Sequence, residues 1–431
     1  MKILQVVHYA PFGAAGGCEN YSLQLSRELA RKHEVAFLYT VPDDHCNGSV
    51  RITQQDGFAC IVLKKDVCNF DRPFHERSAW VEREFSRALD SFNPDVVHFQ
   101  HVINLSCTLP SVAKQRGVPT CFTLHDYWLL CPRTILLTPA MEICPGYDPA
   151  RCLDCLRDRT GYYAAPSTGP APVRLCKQAA KGAINLYKKS LSYVSLRYWR
   201  PRRMAAMLKN IDLFIAPSRF LLEQYAPAFI PEEKIRCCPL GFDTAALHGA
   251  PKTESDRVRF AFIGNIQPYK GVHVLIEAFN AIEGPHELKI YGRLDDGARR
   301  ELARAVSHPR IRFMGMLASQ DKQAAFTNMD VLIVPSVWYE NYPVVINEAY
   351  MTKTPVIASD LGGMAELVED GKTGLTFRAG DARSLAEKIN ICIRDPGLLR
   401  SFAAHMPPVK DIREHAVELS AIYEHIAGIR T

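Results

Sequence analysis

The rhythm of short apolar runs is what most limits how this chain can fold. In the first third, Ile3–His8, Val35–Tyr39, Cys60–Leu63, Asp95–Gln100 and Thr120–Leu124 are each four to six residues rich in Val, Ile, Leu or Phe. Runs of that length suit strands buried on both faces. Amphipathic stretches separate some of them: Tyr21, Leu25 and Leu29 recur at a spacing of four and line one face of a helix. Such βαβα alternation predicts a parallel sheet covered by helices. A second series starts near Arg257 with Phe260–Ile263, Leu288–Tyr291, Ile311–Met314, Val331–Val334 and Pro355–Ala358. The expected class is therefore α/β, with two Rossmann-like domains in tandem. This agrees with 431 residues at ~100–200 per domain. The linker-like stretch Gly241–Asp256 divides an N-terminal domain, 1–243, from a second one, 244–408. Residues 409–431 read as a final helix through Ile412, Val417, Leu419, Ile422, Tyr423 and Ile426. An insertion of different character, roughly Tyr127–Lys209, interrupts the first series.

Composition excludes several classes. A hydrophobic fraction of 47% with 23% charged residues is that of a soluble globular chain, not of a disordered or fibrous one. The start, Met1–His8, reads directly as a buried strand, and no apolar run approaches ~18 residues, so neither a secretory signal nor a membrane span is expected. A cytoplasmic location follows, where clustered cysteines are read first as metal ligands or reactive thiols. The net charge of +6 is too mild to argue for nucleic acid. Gly13–Gly17 is not a G-x-G-x-x-G loop. Gly371-Lys372-Thr373 is not a P-loop, because Glu366 stands where its first Gly belongs.

The most informative stretch is Asp330–Ala349. A strand ends near Pro335, a loop follows, and Pro343 is suited to the first position of a helix. Glu340 then lies just before the helix and Glu348 inside it, ~8 Å further along the axis. Two carboxylates so placed suit two parts of one extended ligand, with the free N–H groups of the helix start between them for a diphosphate. They equally suit a solvated Glu and a partner for the helix dipole.

Wider context favours the ligand. Glu340-x7-Glu348 resembles the E-x7-E signature of retaining family 4 glycosyltransferases of the two-domain GT-B fold. Phe262-Ile263-Gly264 and Lys270-Gly271 resemble that family's glycine turn and diphosphate-binding lysine. Leu288–Gly292 resembles its base-pocket strand, and Gly362-Gly363-x-x-Glu366 through Gly374 the loop and helix that follow. Ala216-Pro217-Ser218, Pro239–Asp243 and Gly16-Gly17 match in order as well. The resemblance implies two domains facing a cleft, with the final helix returning to the first.

It also implies roles. Glu348 accepts hydrogen bonds from the ribose of a nucleotide-sugar, a UDP- or GDP-sugar. Glu340 contacts the transferred sugar, and Lys270 neutralises the diphosphate. His125 approaches the sugar and β-phosphate, with Asp126 either orienting that ring or capping a helix. Gly16, Gly17, Gly264, Asn265, Tyr291, Gly292, Arg293, Asn341 and Tyr342 complete the donor-binding set. His98 and His101 are assigned to packing or to the acceptor rim. The family's scheme is front-face substitution, which requires no catalytic metal. Asn265 stands where the family usually has Arg, and Arg293 is the candidate replacement.

Two features of the insertion remain. Cys131, Cys144, Cys152 and Cys155 form C-x12-C-x7-C-x2-C, a spacing that suits structural zinc, with reduced thiols, an iron–sulfur cluster or disulfides as alternatives. Between Asp158 and Asp212 there are eleven Lys and Arg and no acidic residue. Removing those eleven from +6 leaves −5 for the rest. Over residues 173–209 the basic residues alternate with Leu186, Tyr187, Leu191, Tyr193, Leu196, Tyr198 and Trp199. That suits an interfacial helix on an anionic membrane, or a solvated helix covering the first sheet. The expected function is transfer of a sugar to a lipid-linked saccharide acceptor in cell-surface polysaccharide synthesis, at the cytoplasmic face of the inner membrane. The alternatives are a nucleotide-sugar epimerase of the same fold and a catalytically weak sugar-binding or scaffold protein.

Overall fold

The computed structural model describes residues 1–12, 16–42, 48–65, 77–156, 190–226, 229–247, 251–293, 302 and 304–428. The chain forms two compact units. One comprises Met1–Ala216, Tyr225–Arg236 and Val417–Thr431; the other comprises Pro217–Gln224 and Cys237–Ala416. The division thus falls at 237 rather than 244, and an eight-residue piece, 217–224, groups with the second unit. The final helix, Ile412–Ile426, begins in the second unit and ends in the first.

In the first unit the apolar runs become strands β1 (Lys2–Val6), β2 (Glu34–Pro42), β4 (Phe58–Lys65), β5 (Val96–Phe99), β6 (Thr120–Thr123) and β7 (Leu213–Ala216). With β3 (Ser49–Gln55) and β8 (Ile235–Cys237) they make a sheet of order β3-β4-β2-β1-β5-β6-β7-β8. The pairs from β4 to β7 are parallel. β3 runs antiparallel to β4, joined to it by a tight turn at Asp56 and Gly57, both with positive φ. It is an exposed edge of mostly polar residues, which is why no apolar run announces it.

The second unit has β9 (Val258–Ile263), β10 (His286–Tyr291), β11 (Ile311–Gly315), β12 (Val331–Val334), β13 (Val356–Ser359) and β14 (Gly374–Phe377), in the order β11-β10-β9-β12-β13-β14. All its pairs are parallel. Two apolar clusters cover it, one around Phe260, Leu275 and Phe279, the other around Phe326, Ile346 and Tyr350.

In each unit the strand order reverses beside the first strand. β1 lies between β2 and β5, and β9 lies between β10 and β12. Connections leave such a point in opposite directions and open a crevice at the carboxyl ends of the two strands, where open α/β sheets bind ligands. The residues that follow β1, β5 and β6, and those that follow β9, β10 and β12, are therefore where chemistry is to be sought.

The insertion is described on both sides of residues 157–189. A helix, Pro149–Cys155, is capped by the Asp148 carboxylate, which accepts from the Arg151 N–H at 2.7 Å. Further on, residues 190–209 are helical with a π-turn at Ser195–Trp199. Pro201 explains it: a proline inside a helix donates no hydrogen bond and crowds the turn before it, which widens. Arg202 Nη1 then donates to the Tyr198 carbonyl at 2.9 Å.

Candidate active site

The residues expected to bind the donor gather in the second unit at the β9/β12 switch point. Lys270 ends a short turn after β9, and Gly271 follows with φ of 71°. The turn packs so closely on β12 that a Cβ on Gly271 would lie 1.8 Å from the Pro335 carbonyl oxygen. Val337 N–H donates to the Tyr269 carbonyl at 2.9 Å and ties the two loops together. Lys270 Nζ is thereby delivered to Glu340 Oε1 at 2.6 Å. That same oxygen accepts from Ser336 Oγ at 2.6 Å and from Trp338 Nε1 at 2.9 Å. Glu340 is only 7% exposed, so its charge needs these three donors. The ammonium also stands over the Trp338 ring, 5.4 Å from its centre.

Pro343, expected at the first helical position, is instead the cap residue of the helix Val344–Met351, with φ −65° and ψ 109°. Its carbonyl accepts from the Ile346 N–H at 3.1 Å. First-turn N–H groups have no acceptor within a helix, which leaves a positive end beside the Lys270–Glu340 pair. Glu348 lies in this helix, 8% exposed, and pairs with Lys322 from the helix Lys322–Thr327. The loop before the helix is held by Gly362 and Gly363. Gly363 N–H donates to the Glu340 carbonyl at 2.7 Å, and a Cβ on Gly363 would lie 2.1 Å from the Asn341 carbonyl oxygen. Tyr342 stacks on Phe242 at 6.2 Å, and burial pushes its hydroxyl up to about 12. Glu366 is engaged by the backbone N–H groups of Arg219 and Phe220, each at 2.9 Å.

Gly264, Asn265, Gly292 and Arg293 form one layered turn. Gly264 N–H donates to the Tyr291 carbonyl and Ile266 N–H to the Arg293 carbonyl. A Cβ on Gly292 would meet the Gly264 carbonyl oxygen at 2.0 Å. The exposed Arg293 is thus fixed at its backbone beside the Gly264-Asn265 turn. Tyr291 is half-buried against the Ile346 cluster.

The first unit gathers a different set at the ends of β1, β5 and β6. His101 Nδ1 accepts from the Ile103 N–H at 2.9 Å, so its Nε2 carries the proton and donates to Asp126 Oδ2 at 3.2 Å. Asp126 Oδ1 accepts from the Trp128 N–H at 2.8 Å. Asp126 therefore orients His101 and closes a turn; it neither orients His125 nor caps a helix. Gln100 holds His125, with Oε1 at 2.8 Å from Nε2. His98 is wholly buried between Thr123 and Tyr423, as a packing role requires.

Sequence reasoning missed His8 and Glu19. His8 Nε2 lies 3.3 Å from Glu19 Oε1, and its Nδ1 is buried without a hydrogen bond among the described residues. Glu19 folds back over the start of the helix Gly17–Leu29, held by the backbone at Gly16 and at Glu19 itself, and burial raises its carboxyl. Gly16 and Gly17 thus lead into a helix start already facing a carboxylate, while residues 13–15 of that loop lie outside the described residues. Burial, then the charges of His101 and His125, hold His8 well below the ordinary imidazole value. Burial, then His101, lower His125 to about 3, against the opposing pull of Asp126.

A histidine whose folded value is depressed costs stability only where the unfolded chain is protonated and the folded one is not. For His125 that window runs from about 6.5 down to about 3. Unfolding free energy should therefore fall by on the order of 1 kcal/mol per pH unit below 6.5. Urea unfolding at pH 7.5 and 5.0 checks this, with His125→Gln flattening the slope. An equal slope in the variant contradicts it.

The four cysteines of the insertion are free thiols gathered in one lobe. Burial raises Cys131 and Cys152, and the neighbouring thiols add to this. Their sulfurs do not converge to ligand distance: among the described residues, no three of them lie within 4.8 Å of one another. Cys155 Sγ instead faces Arg133 Nη1 at 3.6 Å, and Cys144 Sγ faces the Gly146 carbonyl at 3.4 Å. Of the basic stretch, 173–189 lie outside the described residues.

Two tandem α/β units, each built on a largely parallel sheet with polar side chains collected at its switch point, have the architecture of the GT-B class. Comparison with known proteins agrees. Residues 257–395 match the family model for group 1 glycosyl transferases, and residues 15–153 match glycosyltransferase family 4. The chain belongs to these group 1, family 4 glycosyltransferases. It is 31% identical over 176 residues to a phosphatidyl-myo-inositol mannosyltransferase of Mycobacterium leprae, covering 38% of this chain and 46% of that one. It is 28% identical over 170 residues to a putative colanic acid biosynthesis glycosyltransferase of Salmonella typhimurium, covering 37% and 42%. The chain spans about half the length of the curated relatives it matches. Sucrose-phosphate synthase from Thermosynechococcus elongatus shares the fold at a TM-score of 0.71 and 18% identity, over 100% of both chains. The Anabaena protein HepE, solved with UDP and glucose, does so at 0.60 and 16%, over 99% of this chain and 98% of that one.

Proposed function

We propose that this chain is a retaining glycosyltransferase that moves a sugar from a UDP- or GDP-sugar to a hydroxyl of a lipid-linked saccharide, in cell-surface polysaccharide synthesis. The observation that carries this is the Lys270–Glu340 pair, held beside a helix start at the β9/β12 switch point with Glu348 further along the same helix. In the reaction the bond from the sugar's anomeric carbon to the diphosphate breaks, and the phosphate oxygen keeps the electron pair. The bond to the acceptor oxygen forms on the same face, and the acceptor's proton passes to the leaving phosphate. Lys270, Arg293 and the helix start stabilise the charge that develops on that phosphate. Glu340 faces the sugar ring, and Glu348 takes the ribose hydroxyls once Lys322 shares its carboxylate. The acid-free basic stretch of the insertion fits an acceptor presented on an anionic membrane; among the described residues no helix is long and apolar enough to cross one.

The test is a panel of UDP-, GDP- and dTDP-sugars, read by nucleotide release and thermal shift. The right donor at 100 times its Kd stabilises the protein by about 2.7 kcal/mol. No shift with any of them overturns the reading.

A further inference from the structure

Outside the donor and histidine sites, the first unit carries an apolar pocket of about 490 Å³ on the insertion. Leu129, Leu130, Met204, Leu208, Phe229 and Ile230 line it. Its walls come from four separate segments: the turn after Asp126, Tyr147 ahead of the helix Pro149–Cys155, the helix Arg200–Lys209 and residues 229–234. Apolar side chains stand exposed around it rather than folding inward. Phe229 is 48% exposed, and on the adjoining helical turns Trp199 is 53%, Leu191 50% and Tyr198 48% exposed. Single exposed apolar residues are ordinary, whereas several beside an apolar pocket mark an interaction site.

Charge narrows the occupant. Arg197 and Arg202 lie over the Tyr198 ring at 5.5 and 5.6 Å, and Arg203 lies over Trp199 at 5.9 Å. Aromatic rings stacked with guanidinium groups combine an apolar body with a charged tip, the arrangement favoured at a membrane–water boundary. Lys209 and Lys234 add positive charge at the pocket. Glu232 and Glu233, next to Pro231, are the acidic residues of the neighbouring turn. Arg200 is not a free cation here, because it is buried and donates to the Trp128 carbonyl. A neutral apolar ligand makes no use of the charge on the exposed Arg197 and Arg202, and a soluble anion makes none of the pocket. An anionic amphiphile uses both.

We propose that this pocket takes one acyl chain of an anionic membrane phospholipid, with the arginines of the adjoining helix on its headgroup. The inference deepens the membrane-presented acceptor of the proposed function and rests on it only for the choice of partner. The test uses the full chain, without any sugar, in co-sedimentation with vesicles of phosphatidylcholine alone or mixed with phosphatidylglycerol. The protein should bind the mixed vesicles at least tenfold better, and rising salt should weaken that binding. Ala205→Trp, at an exposed lining position, fills the pocket and should lower binding tenfold or more. Phe229→Ser should do the same by a route that leaves the helix untouched. Arg197→Glu with Arg202→Glu, both at exposed positions, should abolish the preference for phosphatidylglycerol. Equal binding to both vesicle types overturns the proposal. So does wild-type binding by both pocket variants, which would mean adsorption without an occupied pocket. Concentration-dependent self-association that both pocket variants abolish, with no vesicle binding, would give the pocket to a second copy and also overturn it. Thermal shift with nucleotide-sugars is read on the same samples, so loss of donor binding and loss of vesicle binding are told apart.

Discussion

Lys270→Ala should lower turnover at least 100-fold while the protein stays folded. In the proposed reaction the lysine's charge acts on the diphosphate as it leaves, and a preorganised donor at developing negative charge contributes about 10²–10³ in rate. Its removal also leaves Glu340 buried without a counter-charge. Ser336 Oγ and Trp338 Nε1 still donate to the same carboxylate oxygen, which limits that loss. The turnover number should therefore fall far more than the melting temperature. Lys270→Arg should recover part of the rate, because the charge is kept while its reach and shape change. Steady-state kinetics with the donor identified by the panel decide it. Unchanged turnover in Lys270→Ala removes this residue from the mechanism.

Gly271→Ala should be the most damaging single methyl group in the second unit. Two penalties coincide there: φ of 71°, which disfavours any side chain, and a Cβ placed 1.8 Å from the Pro335 carbonyl oxygen. Relief requires the Lys270 turn to leave β12, which breaks the Val337–Tyr269 hydrogen bond and withdraws Lys270 from Glu340. Strain and overpacking together amount to roughly 3–5 kcal/mol, or about 10 °C in melting temperature for a unit of this size. Calorimetry measures the shift. Gly315→Ala serves as the control, since it shares a positive φ but meets nothing within 4 Å. Equal losses in the two variants would show that the contact with β12 contributes nothing.

Much of the architecture was legible because a fully buried strand has to be apolar along its length. Val331–Val334 is a strand from end to end, and of the run Ile3–His8 the part Ile3–Val6 is one. The edge strand Ser49–Gln55 escaped for the opposite reason: its side chains face water, and only Asp56-Gly57 hints at a hairpin. Among the candidate residues, Glu340, Glu348 and Lys270 come from spacing and resemblance. Their partners were not. Ser336 and Trp338 sit inside Asp330–Ala349, but no spacing shows that both converge on one oxygen. Lys322 reaches Glu348 from a helix 26 residues earlier, a contact set by how two helices pack on the sheet. Asp126 follows His125 in sequence yet turns to His101, because consecutive residues after a strand point to opposite sides. Cysteine spacing brought four thiols into one lobe, whereas the distances between sulfurs depend on side-chain rotamers that spacing does not fix.

The reading of the second unit as a nucleotide-sugar site meets its most direct test in a calorimetric titration. The wild-type chain and Glu348→Gln are each titrated with the UDP- or GDP-sugar that gives the largest thermal shift. A carboxylate that accepts ribose hydroxyls contributes about 1.5–3 kcal/mol, so one binding site weakened at least tenfold in the variant is the expected result. Equal affinity in the two proteins, or no binding of any nucleotide-sugar by the wild type, would contradict it.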